Sequence, residues 1–305
     1  MENLVLNPGI ISGILGYIID KGYPYNTQRA YKSALKKLVK GKQELSKEDI
    51  FIYLNKARHP NQRAIINILN QYCLQKGIDF NVVVPQMKQK PRKLPEILSI
   101  EEIKLMISAV PRPYDLMLRC IFGMGAGLRI SEVLKLQWNN IRWVEWLNNK
   151  EYGVAILKET KRDKERVVNI PNGIMEELYD LAKERNILNE FKIPSGGLVF
   201  PINVNTFKPE LFTMDREKWK YEYIRHAYEW VRHNIIKKVC EKALNKPLHA
   251  HMLRHSRATY LYEIEKIPIE RIQQLLGHKD LKTTMIYTQV DPRTTFNMMK
   301  ETKVI

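Results

Sequence analysis

Residues 247–290, PLHAHMLRHSRATYLYEIEKIPIERIQQLLGHKDLKTTMIYTQV, decide the reading of this chain. Four side chains in the stretch suit phosphate chemistry: His251, Arg254, His278 and Tyr287. His251 and Arg254 are three apart in a segment of helical periodicity, so they share a helix face at roughly 5–6 Å. An imidazole and a planar guanidinium fork at that spacing can both address one phosphate. Gly277-His278 interrupts the apolar run IQQLL, and Asp280 is placed to cap a short helix that begins at Leu281 and carries Tyr287. On one uninterrupted helix His278 and Tyr287 would face opposite ways. The break at Gly277 is what lets both reach one site. Taken singly, such a histidine is a packing or surface residue and such a tyrosine belongs to an amphipathic helix. The ordered set, with two further basic residues upstream, is what points to chemistry.

The whole chain is built for a polyanion. Its 305 residues predict about two domains. The 44% hydrophobic content allows a proper core, and the formal charge of +17 points to nucleic acid as partner. A membrane surface is the competing polyanion, but no lipidation motif or basic amphipathic anchor stands out. The run IISGILGYII (10–19) is too short to span a bilayer. Residues 1–98 hold 16 basic against 7 acidic residues, so the first third is the denser basic surface. Cys73, Cys120 and Cys240 are scattered without metal-ligand spacing and read as reduced, buried thiols in a cytoplasmic protein.

Upstream, residues 27–40 (TQRAYKSALKKLVK) split into an apolar side with Ala30, Ala34, Leu35 and Leu38 and a basic side with Arg29, Lys32, Lys36 and Lys40. Further helical patterns lie at about 8–21, 46–57 and 61–76. These make residues 1–84 a small helical domain. Residues 85–98, PQMKQKPRKLPEIL, contain three prolines and the basic residues Lys88, Lys90, Arg92 and Lys93, and read as a cationic linker. Ser99 with Glu102 forms a capping box that opens the second domain, 99–290. There a helix near 113–123 runs into GMGAGLRISEVLKLQW, with a glycine-rich turn, Arg129 at the start of a helix over 128–136, and Glu132 one turn on. Residues 152–170 predict a β-hairpin around the polar turn TKRDK. In KWKYEYIRHAYEWVRHNIIKKVCEKA, His226 and His233 share a helix face, but no carboxylate or cysteine completes a metal set, and exposed Tyr, Trp and Arg could meet the DNA backbone. Residues 291–305 form a tail in which Asp291-Pro292 marks a turn before a short helix with Phe296, Met299 and Val304 along one edge.

HMLRH, LLGHKDLKTTMIYTQV and GAGLRISEVLKLQW together resemble the tyrosine recombinases, the family of phage integrases and Xer chromosome-dimer resolvases. The resemblance covers most of residues 99–290. It implies a mainly α fold with a small β-sheet: an N-terminal four-helix core-binding domain and an α+β catalytic domain that together clamp DNA in a C shape. It implies Arg129, Lys161, His251, Arg254, His278 and Tyr287 as catalytic residues, with Glu132 orienting Arg129 by an ion pair. The lysine is assigned by register in KRDKERVV over Lys158 and Lys164; the glycines common beside it in the family are Thr160 and Arg162 here. Tyr287 would attack a phosphodiester to form a 3′-phosphotyrosine, Arg129 and Arg254 would clamp the phosphate, Lys161 would protonate the departing 5′ oxygen, His251 would take the tyrosine proton and His278 would hydrogen-bond the phosphate. No metal or other cofactor is implied. The implied partner is duplex DNA bearing a specific site, occupied by a homotetramer on paired sites, with the free protein a monomer or weak dimer and the tail docking in trans; the implied place is the cytoplasm, at the nucleoid. A type IB topoisomerase, or a DNA-binding protein without catalysis, are the alternatives, and the choice between chromosome-dimer resolution and mobile-element or viral integration stays open.

Overall fold

The computed structural model describes residues 3–56, 60–85, 95–159, 164–202, 216–278 and 280–287. The chain divides into two compact units, 1–91 and 92–305.

Among the described residues the first unit has four helices: α1 (Pro8–Asp20), α2 (Tyr25–Val39), α3 (Lys47–Asn55) and α4 (Pro60–Gln75). A two-residue strand β1 (Leu4–Val5) pairs antiparallel with β2 (Glu44–Leu45), Leu4 facing Leu45. Local sequence sets the helix starts. The Asn7 side chain accepts from the Ile10 N–H at 2.8 Å, with Pro8 in the first turn, and Ser46 with Asp49 closes a reciprocal capping box on α3. Ile14, Ile18, Leu35, Leu38, Ile50, Ile65 and Leu69 form the core. The split predicted for α2 is present: Ala34, Leu35 and Leu38 are buried, while Arg29, Lys36 and Lys40 are exposed and Lys32 partly so. Lys88, Lys90, Arg92 and Lys93 lie outside the described residues.

In the second unit Ser99 and Glu102 form the predicted capping box on α5 (Ile100–Ser108). There follow α6 (Tyr114–Gly123), α7 (Ile130–Val133) and α8 (Trp143–Asn149). The hairpin then pairs β3 (Tyr152–Glu159) with β4 (Lys164–Pro171), in register from Tyr152↔Pro171 to Glu159↔Lys164. Ala155, Leu157, Val168 and Ile170 turn inward and Val167 outward, the two-residue alternation of a half-buried sheet. Helix α9 (Asn172–Glu184) lies on the hairpin so closely that a Cβ at Gly153 would meet the Met175 sulfur at 2.2 Å. The remaining helices are α10 (Arg216–Val231), continuing through a π-helical stretch (Arg232–Cys240) into α11 (Glu241–Leu244), then α12 (His251–Glu263), α13 (Ile269–Leu276) and α14 (Leu281–Thr284), which tightens into a 3-10 turn at Met285–Tyr287. Trp138, Trp146, Phe200, Leu116 and Ile121 anchor a core shared by most of these elements. The described chain is thus mainly helical with two small antiparallel strand pairs.

One expectation needs correction. The helix over 128–136 is only α7, four residues long. Beyond it the Leu136 carbonyl accepts from Val199 N–H at 2.8 Å and Trp138 N–H donates to Gly197 O at 3.2 Å, so the chain leaves the helix to pair with a distant segment. Two of the aromatics of α10 face inward. Tyr223 is buried, with its hydroxyl accepting from Ile202 N–H, and Trp230 packs against Tyr114 with ring centroids 5.2 Å apart. His226 and His233 do not act as a pair: His233 is exposed, whereas a ring nitrogen of half-buried His226 faces the Arg225 guanidinium at 2.6 Å. The π-helical stretch begins one residue before His233 and widens the turn there.

Candidate active site

The site is assembled from α7, β4, α12, α13 and the turn ending at Tyr287. Arg129 is the residue just before α7, and its extended backbone lets its own N–H donate to Glu132 Oε2 at 2.6 Å while its guanidinium reaches Glu132 Oε1 at 2.9 Å. Glu132 therefore orients Arg129, and it does more. Arg166 on β4 donates to the same Oε2 at 2.8 Å, and the Arg254 guanidinium lies 3.8 Å from it. Burial opposes ionisation of Glu132, but the charges of Arg166 and Arg254 and the Arg129 N–H outweigh it, so the carboxyl is held below its usual range. Three guanidinium groups around one carboxylate leave a local excess of positive charge, which is what a phosphate requires.

Arg254 is fixed from two sides. Its side chain is 4% exposed and donates to Gly127 O at 2.6 Å and Leu276 O at 2.7 Å. The glycine turn is shaped to admit it: Gly127 has φ +94, and a Cβ there would sit 3.1 Å from Arg254 Cα. Burial, then repulsion from Arg129, pushes the guanidinium down to about 10, still cationic at neutral pH. Arg166 holds the neighbouring carbonyl, Leu275 O, at 2.5 Å. The two arginines thus cap the end of α13 just where Gly277, at φ +67, turns the chain out of the helix. That turn presents His278, whose Nδ1 lies 3.0 Å from the buried Thr284 hydroxyl. Burial, then the charges of Arg254 and Arg129, lowers His278 to about 4. His251, at the first turn of α12, is likewise lowered by burial and by Arg254. Gly277 turns the chain out of α13 directly before His278, and Tyr287 packs against Leu276, the last residue of that helix, so the break places both at one end of α13.

Tyr287 is 3% exposed, its ring in a small apolar cluster with Ala126, Ala258, Leu261, Ile272 and Leu276. Burial raises its phenol, opposed by Arg254 and Arg129. Its hydroxyl meets His255 Nδ1 at 2.9 Å. The sequence reading gave the tyrosine proton to His251; in this arrangement the histidine in contact is His255, one turn along α12. Burial, then the neighbouring His251 and His249, lowers His255 to about 4. His255 and Arg166 are the site residues that sequence reasoning missed. His255 carried a usable signal, four residues from His251 and so on the same helix edge. Arg166 carried none, since its partners lie 34 and 109 residues away. Lys161 lies outside the described residues, between the ends of β3 and β4. Among the described residues no group of three or more His, Cys, Asp or Glu is placed to hold a metal ion, and no helix is long and apolar enough to cross a membrane.

Residues 96–294 match the phage integrase family. The chain is 28% identical to tyrosine recombinase XerA of Thermococcus onnurineus, over 90% of this chain and 88% of that protein. It is 26% identical to tyrosine recombinase XerA of Pyrococcus horikoshii, over 99% and 96%. Among solved structures, XerH site-specific recombinase bound to palindromic difH substrate, a post-cleavage complex, superposes with a TM-score of 0.58 at 20% identity, covering 89% of this chain and 78% of that one. A lambda integrase tetramer bound to a Holliday junction gives 0.58 at 17% identity, covering 92% and 76%. These likenesses establish a shared fold.

Proposed function

The chain belongs to the phage integrase family, and on that premise we propose how it works. It is a Xer-like, site-specific DNA recombinase that cuts and rejoins duplex DNA through a covalent tyrosine intermediate. The Tyr287 oxygen attacks a phosphodiester, forming a 3′-phosphotyrosine and releasing a 5′-hydroxyl. Arg129 and Arg254 hold the non-bridging oxygens, where negative charge grows in the pentacoordinate transition state. Arginine suits this task because its fork binds two oxygens and keeps its proton. His278 adds a hydrogen bond to the phosphate and His251 accepts the phenolic proton in the DNA complex. Lys161 protonates the leaving 5′ oxygen, a poor leaving group as an alkoxide. The phosphotyrosine preserves the bond energy, so attack by the 5′-hydroxyl of another strand restores an intact backbone.

The single observation that carries this reading is the gathering of Arg129, Arg166 and Arg254 around Glu132, with two histidines and a buried tyrosine hydroxyl in the same region. In the same reading the first unit is a core-binding domain that meets the duplex with Arg29, Lys32, Lys36 and Lys40, and 85–98 follows the backbone with Lys88, Lys90, Arg92 and Lys93. Both units close on the duplex as a C-shaped clamp. The active assembly is a homotetramer on paired sites, supported by the lambda integrase tetramer among the relatives, with residues 291–305 docking on a neighbouring protomer. Purified protein is incubated with sheared genomic DNA, trapped in denaturant and mapped for covalent ends. Adducts at discrete sequences with 5′-hydroxyl partners are expected. Relaxation of any supercoiled plasmid without sequence preference would favour a topoisomerase, and binding with no adduct would refute the reading.

A further inference from the structure

We propose that His255 is the positioning residue for the nucleophile: it fixes the Tyr287 hydroxyl through the Nδ1···Oη hydrogen bond and ties it to the helix that also carries Arg254. The inference rests on Tyr287 being the nucleophile and adds a group that the recombination chemistry above does not use.

The geometry is specific. The apolar cluster around Tyr287 fixes where the ring lies, yet nothing apolar can hold a hydroxyl, and a buried hydroxyl needs a polar partner. His255 supplies it at 2.9 Å, with ring centroids 5.7 Å apart and planes tilted by 48°. His255 itself is half-buried, and its backbone belongs to the second turn of α12. The preceding residue is Arg254, locked onto Gly127 O and Leu276 O. Adjacent residues on one helix point about 100° apart, so α12 sends Arg254 toward the phosphate clamp and His255 toward the tyrosine. The distance between clamp and nucleophile is therefore set by one rigid element, although Tyr287 comes from a separate short turn 32 residues further on. The bond fixes Oη in either ring tautomer. A bare Nδ1 accepts from the phenol; an Nδ1–H donates to the phenol oxygen and leaves the phenolic proton for His251.

The test uses the full-length protein and a nicked duplex carrying a site mapped as above, in single-turnover adduct formation, with DNA affinity measured in parallel. His255→Ala removes the bond, His255→Phe keeps the ring's bulk without nitrogen, and His255→Asn keeps a polar atom close to the Nδ1 position. Ala and Phe are expected to slow adduct formation by about 10²-fold, the cost of a nucleophile misplaced by roughly 1 Å, with DNA affinity unchanged, and Asn is expected to recover most of the loss. Full activity of the Phe variant would show that packing alone suffices and overturn the proposal. An Asn variant as slow as Ala would also overturn it, by showing that a proton acceptor rather than a holding bond is needed. Absence of any adduct from the wild-type protein would instead count against Tyr287 as nucleophile, a separable failure.

Discussion

Replacing Arg166 by alanine should destabilise the second unit measurably. The side chain of Arg166 is 11% exposed and that of Glu132 12%, so water screens their ion pair little. Alanine removes a 2.8 Å charged hydrogen bond to Glu132 and a 2.5 Å bond to the Leu275 carbonyl. It takes one of three guanidinium partners from Glu132, leaving Arg129 and Arg254. Losing such a charged hydrogen bond costs about 1.5–3 kcal/mol, and in a unit of this size that corresponds to a fall of roughly 6 °C in melting temperature. All five tryptophans lie beyond residue 137, in the second unit, so thermal unfolding followed by tryptophan fluorescence reports on it directly. Adduct formation should fall as well, because Glu132 also orients Arg129. Melting of Arg166→Ala within about 2 °C of wild type would refute the reasoning.

Three further outcomes are expected. Lys161→Ala should slow cleavage by about 10²–10⁴-fold, the worth of a general acid, and a 5′-bridging sulfur in the substrate should restore the rate; rescue seen only with Lys158→Ala moves the role to Lys158. The folded protein holds His255 and His278 at about 4 against an ordinary 6.5, so their contribution to stability is complete above pH 6.5 and is lost as the pH falls toward 4, where only the unfolded chain takes up the protons. Urea unfolding should therefore show a drop between pH 7 and pH 5 that His255→Asn with His278→Gln flattens, and an unchanged slope would count against the burial of these rings. Deleting residues 292–305 should leave single-site binding intact but abolish cooperative filling of paired sites, and equal cooperativity would put the tail in cis.

What the sequence could show was local. The apolar stripe of α2, the Ser99–Glu102 capping box, the alternating hairpin and the glycine stop at Gly277 each rest on a few neighbouring residues, and each is present in the structure. The length of α7 could not be read this way, because a pairing with Gly197–Val199, some 60 residues on, ends it. Which aromatics of α10 turn inward could not be read for a related reason: amphipathic spacing shows that Tyr223 and Trp230 share a side, and only the positions of Ile202 and Tyr114 show that this side is inward. The Arg254–His278–Tyr287 order was legible because sequence order is preserved within 34 residues, while Arg166 enters from another element altogether.

The central claim is that Tyr287 carries the DNA. Wild-type protein and Tyr287→Phe are incubated with a nicked duplex bearing the mapped site, denatured, digested, and the peptide–nucleotide product is sequenced by mass spectrometry. The account predicts a 3′-phosphodiester on Tyr287 in the wild type, and in the variant undiminished DNA binding with no adduct at all. An adduct on any other residue, or one that survives Tyr287→Phe, would contradict it.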